Sequence, residues 1–418
     1  MSYVGITHKY LIYTNNHLQL MRVILIFTFL FFCVGCASTE QSKSEALPIA
    51  LIFADDAFPE FKLYEIEQPE QIFALDDDAK AFVHDSMSGI RPGDNKAKKL
   101  IRSIFDRSDL DLVYESSANT TATDTFNSAS ANCLSLSIMT YAMAQEAGFS
   151  TQFQIVDIPE YWMRRGGYTL ISGHVNLRIT VKAELGIQQI FDNALVVDFD
   201  PQARSKKFFT QKTSKQTIVA MFYNNKGADA LLQGNSDKAY AYFKEAILIS
   251  KKHAGTWVNL GFLYRKMGLY NLAHKAYRQA IAIDEDYNTA WENLAFLYDR
   301  SGNKKGADDI RSRLESKRMK NPFYHQMLAE IDKDEGSFDS SVSHYEKAIR
   351  LDNNQHQFYF GLASVYFEKG DLLKSQRYLK LAKKKAGKRK VVSAYVNKLD
   401  ALSTYIETIK NKSNLNSG

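Results

Sequence analysis

Trp257-Val-Asn-Leu260-Gly-Phe-Leu-Tyr264-Arg-Lys-Met-Gly268 returns 34 residues later as Trp291-Glu-Asn-Leu294-Ala-Phe-Leu-Tyr298-Asp-Arg-Ser-Gly302. The period extends in both directions. Glycines fall at 234, 268, 302, 336 and 370, and Leu260 aligns with Leu294, Leu328 and Leu362. Tyr264 aligns with Tyr298 and Tyr366, Phe243 with Tyr277 and Tyr345, and Ala246 with Ala280, Ala348 and Ala382. Columns of this kind predict stacked helix pairs. Small residues let two helices approach, aromatics fill the neighbouring gap, and the recurring glycine ends the first helix of each pair at a tight turn. The third unit departs from the pattern, with Arg311 and Leu314 in the aromatic and alanine columns.

The period, the small-residue column and the order of aromatics resemble the tetratricopeptide repeat. The resemblance covers five repeats over residues 220–389, and residues 390–411 read as a helix capping the stack. It implies an all-α solenoid whose concave face accepts an extended peptide or a partner helix. By register, Val258, Phe262, Arg265, Glu292, Phe296 and Asp299 are expected to line that protein-binding groove.

A different pattern precedes the repeats. Asp76 to Met87 and Asn95 to Phe105 carry helical spacing, and Ser116 to Ser130, rich in Ser, Thr, Ala and Asn, reads as a loop. Leu134 to Ala147 predicts a helix closed by Gly148. Thr151 to Val156, Val175 to Val181 and Ala194 to Phe199 read as strands, with Ile158 to Gly173 as a flap between the first two. Helices first and strands after describe an α+β domain, placed at residues 49–210.

Cys133 opens the helix in this domain, where the backbone N–H groups and the dipole favour a thiolate. A Cys, a His and an Asp in that order are the parts of a thiol acyl-transfer site, here Cys133, His174 and Asp198 or Asp200. In His174-Val-Asn-Leu-Arg-Ile, alternation puts His174, Asn176 and Arg178 on one face and Val175, Leu177 and Ile179 on the other. Asn132-Cys-Leu-Ser-Leu-Ser, Ala144-Gln-Glu-Ala-Gly148, Gly173-His-Val-Asn and Val197-Asp-Phe together resemble the bacterial transglutaminase-like, papain-like core over roughly residues 70–205. The resemblance implies Cys133 as nucleophile, His174 as base and Asp198, with Asp200 as the alternate, as the orienting acid acting on amide bonds. The substrate, and the choice between hydrolysis and transfer, stay open. So does a catalytically silent platform serving as a protein-binding scaffold or envelope assembly factor.

Residues 1–20 lack signal character, and the expected start is Met21, followed by Arg22 and an apolar run to Val34. That run is shorter than the roughly 20 residues of a membrane span and reads as a signal peptide over 21–35. Cys33-Val-Gly-Cys36 resembles a lipobox, with Cys33 where Leu is usual, implying lipidation at Cys36. Residues 36–48 then form a tether. Ala37 points to a lipid-anchored protein of the outer membrane facing the periplasm. Of three cysteines, processing leaves Cys133 as the one internal thiol in a disulfide-permissive compartment. The net charge of +6, much of it in the run Lys380 to Lys390, does not suggest a nucleic-acid partner. Neither metal-ligand spacing nor a phosphate loop is evident, so no metal and no cofactor is expected.

Overall fold

The computed structural model describes residues 4–7, 51–89, 96–105, 113–115, 117–165, 168–180, 194–199, 208–387 and 389–415. The expected signal peptide, tether and lipid-bearing Cys36 lie outside them, as does Asp200. Among the described residues no helix is long and apolar enough to cross a membrane.

The α+β part is built around helix α5 (Cys133–Glu146). Asn132 caps it, its Oδ1 accepting the Ser135 N–H at 2.9 Å. Gly148, at φ 79°, ends it, and the Phe149 N–H returns to the Ala144 carbonyl at 2.9 Å. Every residue from Cys133 to Thr140 is buried, so the helix has no solvent face along this length. It packs against α2 (Asp77–Met87), α3 (Lys96–Phe105) and α4 (Ala122–Ser128) on one side and against the sheet on the other.

That sheet centres on β4 (Ser150–Arg165) and β5 (Tyr168–Thr180), an antiparallel pair with one irregularity between Val156 and Tyr161. Its outer half replaces the expected flap. Tyr161 to Arg165 pair with Tyr168 to Ser172, from Tyr161 opposite Ser172 to Arg165 opposite Tyr168, so these residues form a two-stranded arm within the expected flap Ile158 to Gly173. Strand β7 (Thr210–Lys212), not expected from the sequence, pairs with β4. The free edge of β5 carries β6 (Leu195–Val197) opposite Leu177–Ile179 and β1 (Val4–Thr7) opposite Thr169–Ser172. The expected loop 116–130 contains α4, begun by Thr121, whose Oγ1 accepts the Asp124 N–H at 3.2 Å. It ends in β3 (Ser130–Ala131), parallel to β2 (Val113–Tyr114).

The solenoid consists of five helix pairs: α6 (Lys215–Leu232) with α7 (Ser236–Ile249), α8 (Ala254–Lys266) with α9 (Tyr270–Ile283), α10 (Asn288–Arg300) with α11 (Lys304–Arg318), α12 (Pro322–Asp334) with α13 (Phe338–Leu351), and α14 (His356–Glu368) with α15 (Leu372–Lys385). Helix α16 (Arg389–Leu415) covers the last pair. The five spaced glycines sit at φ 84°, 78°, 83°, 78° and 79°, a conformation that a side chain at each would strain. Trp257 Nε1 donates to the Lys251 carbonyl at 3.0 Å, and Trp291 Nε1 repeats the bond to Glu285 one period later at 2.7 Å. At Gly261 a Cβ would meet the Tyr277 ring at 2.5 Å, which is why the helices of that pair come so close. In the irregular third pair, Leu314 is buried like the alanines it replaces, and Arg311 turns outward to pair with Asp299 and Asp308.

The two parts are joined at both ends. Residues 51–63, assigned from sequence to the α+β domain, pack on α7 and α8: Ile52 and Phe58 are fully buried there, and Phe58 stacks on Tyr240 with centroids 4.4 Å apart. Asp55 accepts from Tyr240 Oη and Lys244 Nζ, each at 2.7 Å. At the far end the β4–β5 arm reaches α12, where Tyr161 and Trp162 pack on Phe323 and Tyr324 with centroids 5.1 and 5.5 Å apart. Arg318, whose side chain is 4% exposed, donates to Glu160 at 3.1 Å and to Glu292 at 2.9 Å beneath the Trp162 ring. Removing one partner from a buried ionic cluster leaves charge unpaired. Arg318→Ala is expected to cost about 3 kcal/mol, read as a lower denaturant midpoint, and to speed hydrogen exchange in residues 160–162.

Candidate active site

Cys133 stands in the first turn of α5, His174 on β5, and Asp198 directly after β6. Packing of α5 against the sheet brings the first two together, and pairing of β6 with β5 delivers the third. His174 Nε2 lies 2.7 Å from Asp198 Oδ1, and the Cys133 thiol hydrogen-bonds the His174 side chain. With Nε2 taken by the carboxylate, Nδ1 is the ring nitrogen left for the sulfur. Asn176, on the same face of β5 as His174, donates Nδ2 to the other carboxylate oxygen at 3.3 Å. Val175, Leu177 and Ile179 point the opposite way and are fully buried in the core, as the alternation predicts.

Electrostatics in this corner oppose burial. Cys133 is 1% exposed and His174 not at all. Burial pushes the thiol up, while the hydrogen bond and charge of His174 act the other way, toward the thiolate. For His174, burial acts to lower the pKa, but the bond to Asp198 and the contact with Cys133 raise it to about 9. Each charge stabilises the next, so thiolate, imidazolium and carboxylate form one line. Asp198, with its side chain 22% exposed, is the solvent end of that line.

The start of α5 is held from behind. Ser135 Oγ donates to the Ala118 carbonyl at 3.0 Å and accepts the Thr120 N–H at 2.9 Å, while the Asn132 N–H bonds the Ala118 carbonyl at 3.2 Å. Asn132 Nδ2 donates to Asn119 Oδ1 at 2.5 Å, and Asn119 donates in turn to Asp229 of α6. A chain of amides thus links the first repeat helix to the residue preceding Cys133. Among the described residues no group of three or more His, Cys, Asp or Glu is placed to hold a metal ion.

The six residues expected to line a repeat groove divide. Val258, Phe262 and Arg265 are buried, and the Arg265 guanidinium sits between Phe262 at 4.6 Å and Phe296 at 4.4 Å while donating to Asn293 at 3.0 Å. Glu292 faces Arg318, and Asp299 faces Arg311. Asn225, Asn259 and Asn293, all buried, form a polar column along the same helices that the aromatic and small-residue columns do not include. Their 34-residue spacing was the signal.

If Asp198 holds the imidazolium, Asp198→Asn should lower the His174 pKa from about 9 toward 6.5, followed by NMR of the ring. A titration that stays near 9 would assign the shift to other groups.

Residues 218–286 match the family model of the tetratricopeptide repeat, and residues 329–370 match a second model described as a TPR repeat. Among solved structures, MamA is similar at 22% identity over 38% of this chain and 93% of its own, with a TM-score of 0.24. PilF of Pseudomonas aeruginosa is similar at 16% identity over 45% and 94%, TM-score 0.26. YrrB, described as a TPR protein with an unusual peptide-binding site, is similar at 15% identity over 43% and 92%, TM-score 0.24. No curated protein matches the chain. The helical half of the chain, as matched in sequence and built in space, carries tetratricopeptide repeats.

Proposed function

We propose that the chain is a protein-binding repeat scaffold whose α+β domain carries a thiol acyl-transfer centre at Cys133. Protein binding is backed by the matched repeats. The single observation that carries the thiol centre is the Asp198–His174–Cys133 line, with His174 2.7 Å from the carboxylate and hydrogen-bonded to the thiol. In the proposed reaction the Cys133 sulfur attacks an amide carbonyl carbon. The negative charge that develops on the carbonyl oxygen falls near the N-terminus of α5, where the Cys133 N–H is the expected donor. The C–N bond then breaks as His174 gives its proton to the departing amine, leaving a thioester. Attack by water makes the outcome hydrolysis, and attack by a second amine makes it amide transfer.

A catalytically silent scaffold is the second reading. It is favoured by the burial of Cys133, 1% exposed, and by family matches that fall wholly in the repeats. In either reading the sequence from Met21 to Cys36 supports a lipid-anchored envelope protein, with the anchor at Cys36 and the repeats facing the periplasm.

The two readings part on thiol chemistry. A thiolate reacts and a thiol does not, so the alkylation rate of Cys133 by iodoacetamide reports the pair directly. The rate is expected to plateau well below the roughly pH 8.5 of an ordinary thiol. A further rise is expected as His174 loses its proton near pH 9. In His174→Ala the low-pH plateau should vanish. A rate tracking an ordinary thiol in both proteins would leave the silent scaffold.

A further inference from the structure

The solenoid ends on a change of charge. From Leu372 to Leu399 the chain carries ten lysines and arginines and no acidic residue, in a protein whose net charge is +6, so the rest of the chain is net negative. Helices α7, α11 and α13 hold the same place in their pairs as α15 and carry two or three acidic residues each, while α9 carries only two lysines and arginines. Packing of the second helix in a pair therefore does not call for a cationic face.

Helix α15 divides into two faces. Leu379 and Ala382 are buried in the last core, with Leu372, Tyr378 and Leu381 packed against it. Its exposed residues are Leu373, Lys374, Arg377, Lys380, Lys383 and Lys384, five cations and one leucine. Lys374 pairs with Asp371 at 3.1 Å, and the other four cations make no ion pair among the described residues. Leu373, Arg377, Lys380 and Lys384 follow one another four, three and four residues apart, so they run down one side of the helix. Like charges three and four residues apart weaken a helix, so α15 carries this stripe against its own stability. Leu373 heads the stripe and is 71% exposed.

We propose that the exposed face of α15 is a docking surface for a bilayer that carries anionic phospholipid, with the cations on the headgroup phosphates and Leu373 entering the acyl boundary. Charge complementarity selects a polyanion, and the residue types select the bilayer. Four of the five cations are lysines, mobile point charges suited to a diffuse sheet of phosphates rather than to paired recognition of a carboxylate. Lysine is also depleted where proteins meet proteins. An exposed leucine among cations gains from a surface that is anionic outside and apolar beneath. The stripe lies on the last helix pair, whereas the chain enters the solenoid at residues 51–63, on α7 and α8. Contact at α15 together with a lipid at Cys36 would hold the solenoid at both ends and lay it along the membrane. The surface itself rests neither on that lipid nor on the thiol reading.

The test uses the full chain with Cys36→Ser, so that no acyl group holds it. Its partition is measured onto vesicles of phosphatidylcholine alone and of phosphatidylcholine mixed with phosphatidylglycerol. Each cation near an anionic surface contributes about fivefold, so the mixed vesicles should bind about a thousandfold more tightly than the neutral ones. That preference should collapse at about 1 M salt, where the screening length falls to about 3 Å. Lys380→Gln/Lys383→Gln/Lys384→Gln should lose about a hundredfold on the mixed vesicles, and the same three changed to Arg should lose little. Leu373→Ser should weaken binding about tenfold. All four side chains are exposed, so none of these changes removes a core contact. Neutral and mixed vesicles bound alike, or a glutamine triple that binds as the unaltered chain does, would overturn the proposal. So would soluble polyglutamate bound as tightly as the mixed vesicles with Leu373→Ser without effect, a result that would give the surface to an acidic protein.

Discussion

Helix α6 buries its first half, Ile218 to Tyr223, in the core that surrounds α5, and its second half, Ala228 to Leu231, in the core of the first repeats. A single hydrogen-bonded rod therefore belongs to two hydrophobic cores. Breaking either core exposes part of the same helix, so neither half of the chain has a surface it can shed cheaply. Asp229 extends the joint in polar form through Asn119 to Asn132, the cap of the helix that begins with Cys133. The candidate site is thus braced by the repeat that starts the solenoid.

The same burial sets the chemistry. A lone thiolate or a lone imidazolium would be unfavourable with both side chains shielded from water. Placed together, and with Asp198 at the wet end, they favour one another's charged forms. Asn176 keeps the carboxylate oriented and Ser135 keeps the helix start in place, so the line is supported by residues that do not themselves join it.

Much of this was legible in the chain. The 34-residue period survives because each column answers the same packing problem in each repeat, and even the third unit solves it with Leu314 at an alanine position. Cys133 stands at the start of a helix, His174 within an alternating strand and Asp198 directly after a strand, where local pattern is readable. The arm of β4 and β5 was not legible, because Pro159, Gly166 and Gly167 read locally as a loop, while its strand form depends on Tyr161 and Trp162 meeting α12. Helix α4 was hidden for a related reason: a composition of Ser, Thr, Ala and Asn has weak helical preference, and Thr121 capping together with burial of Ala122 and Thr125 decides the outcome.

The β4–β5 arm also acts as a tie rod. Its base is set in the α5 core at Phe153 and its outer part is pinned on α12 by Arg318, Trp162 and Tyr161, a reach of about 30 Å at about 3.3 Å per residue. Like a chord across an arc, it fixes how far the solenoid can open or close between α6 and α12. Adding or deleting one helix pair inside that arc would move the anchor away from the tip of the arm. Repeat number is therefore locked over the first four pairs, while α14, α15 and α16 beyond the anchor remain the part of the solenoid that can lengthen, shorten or bend without disturbing the site.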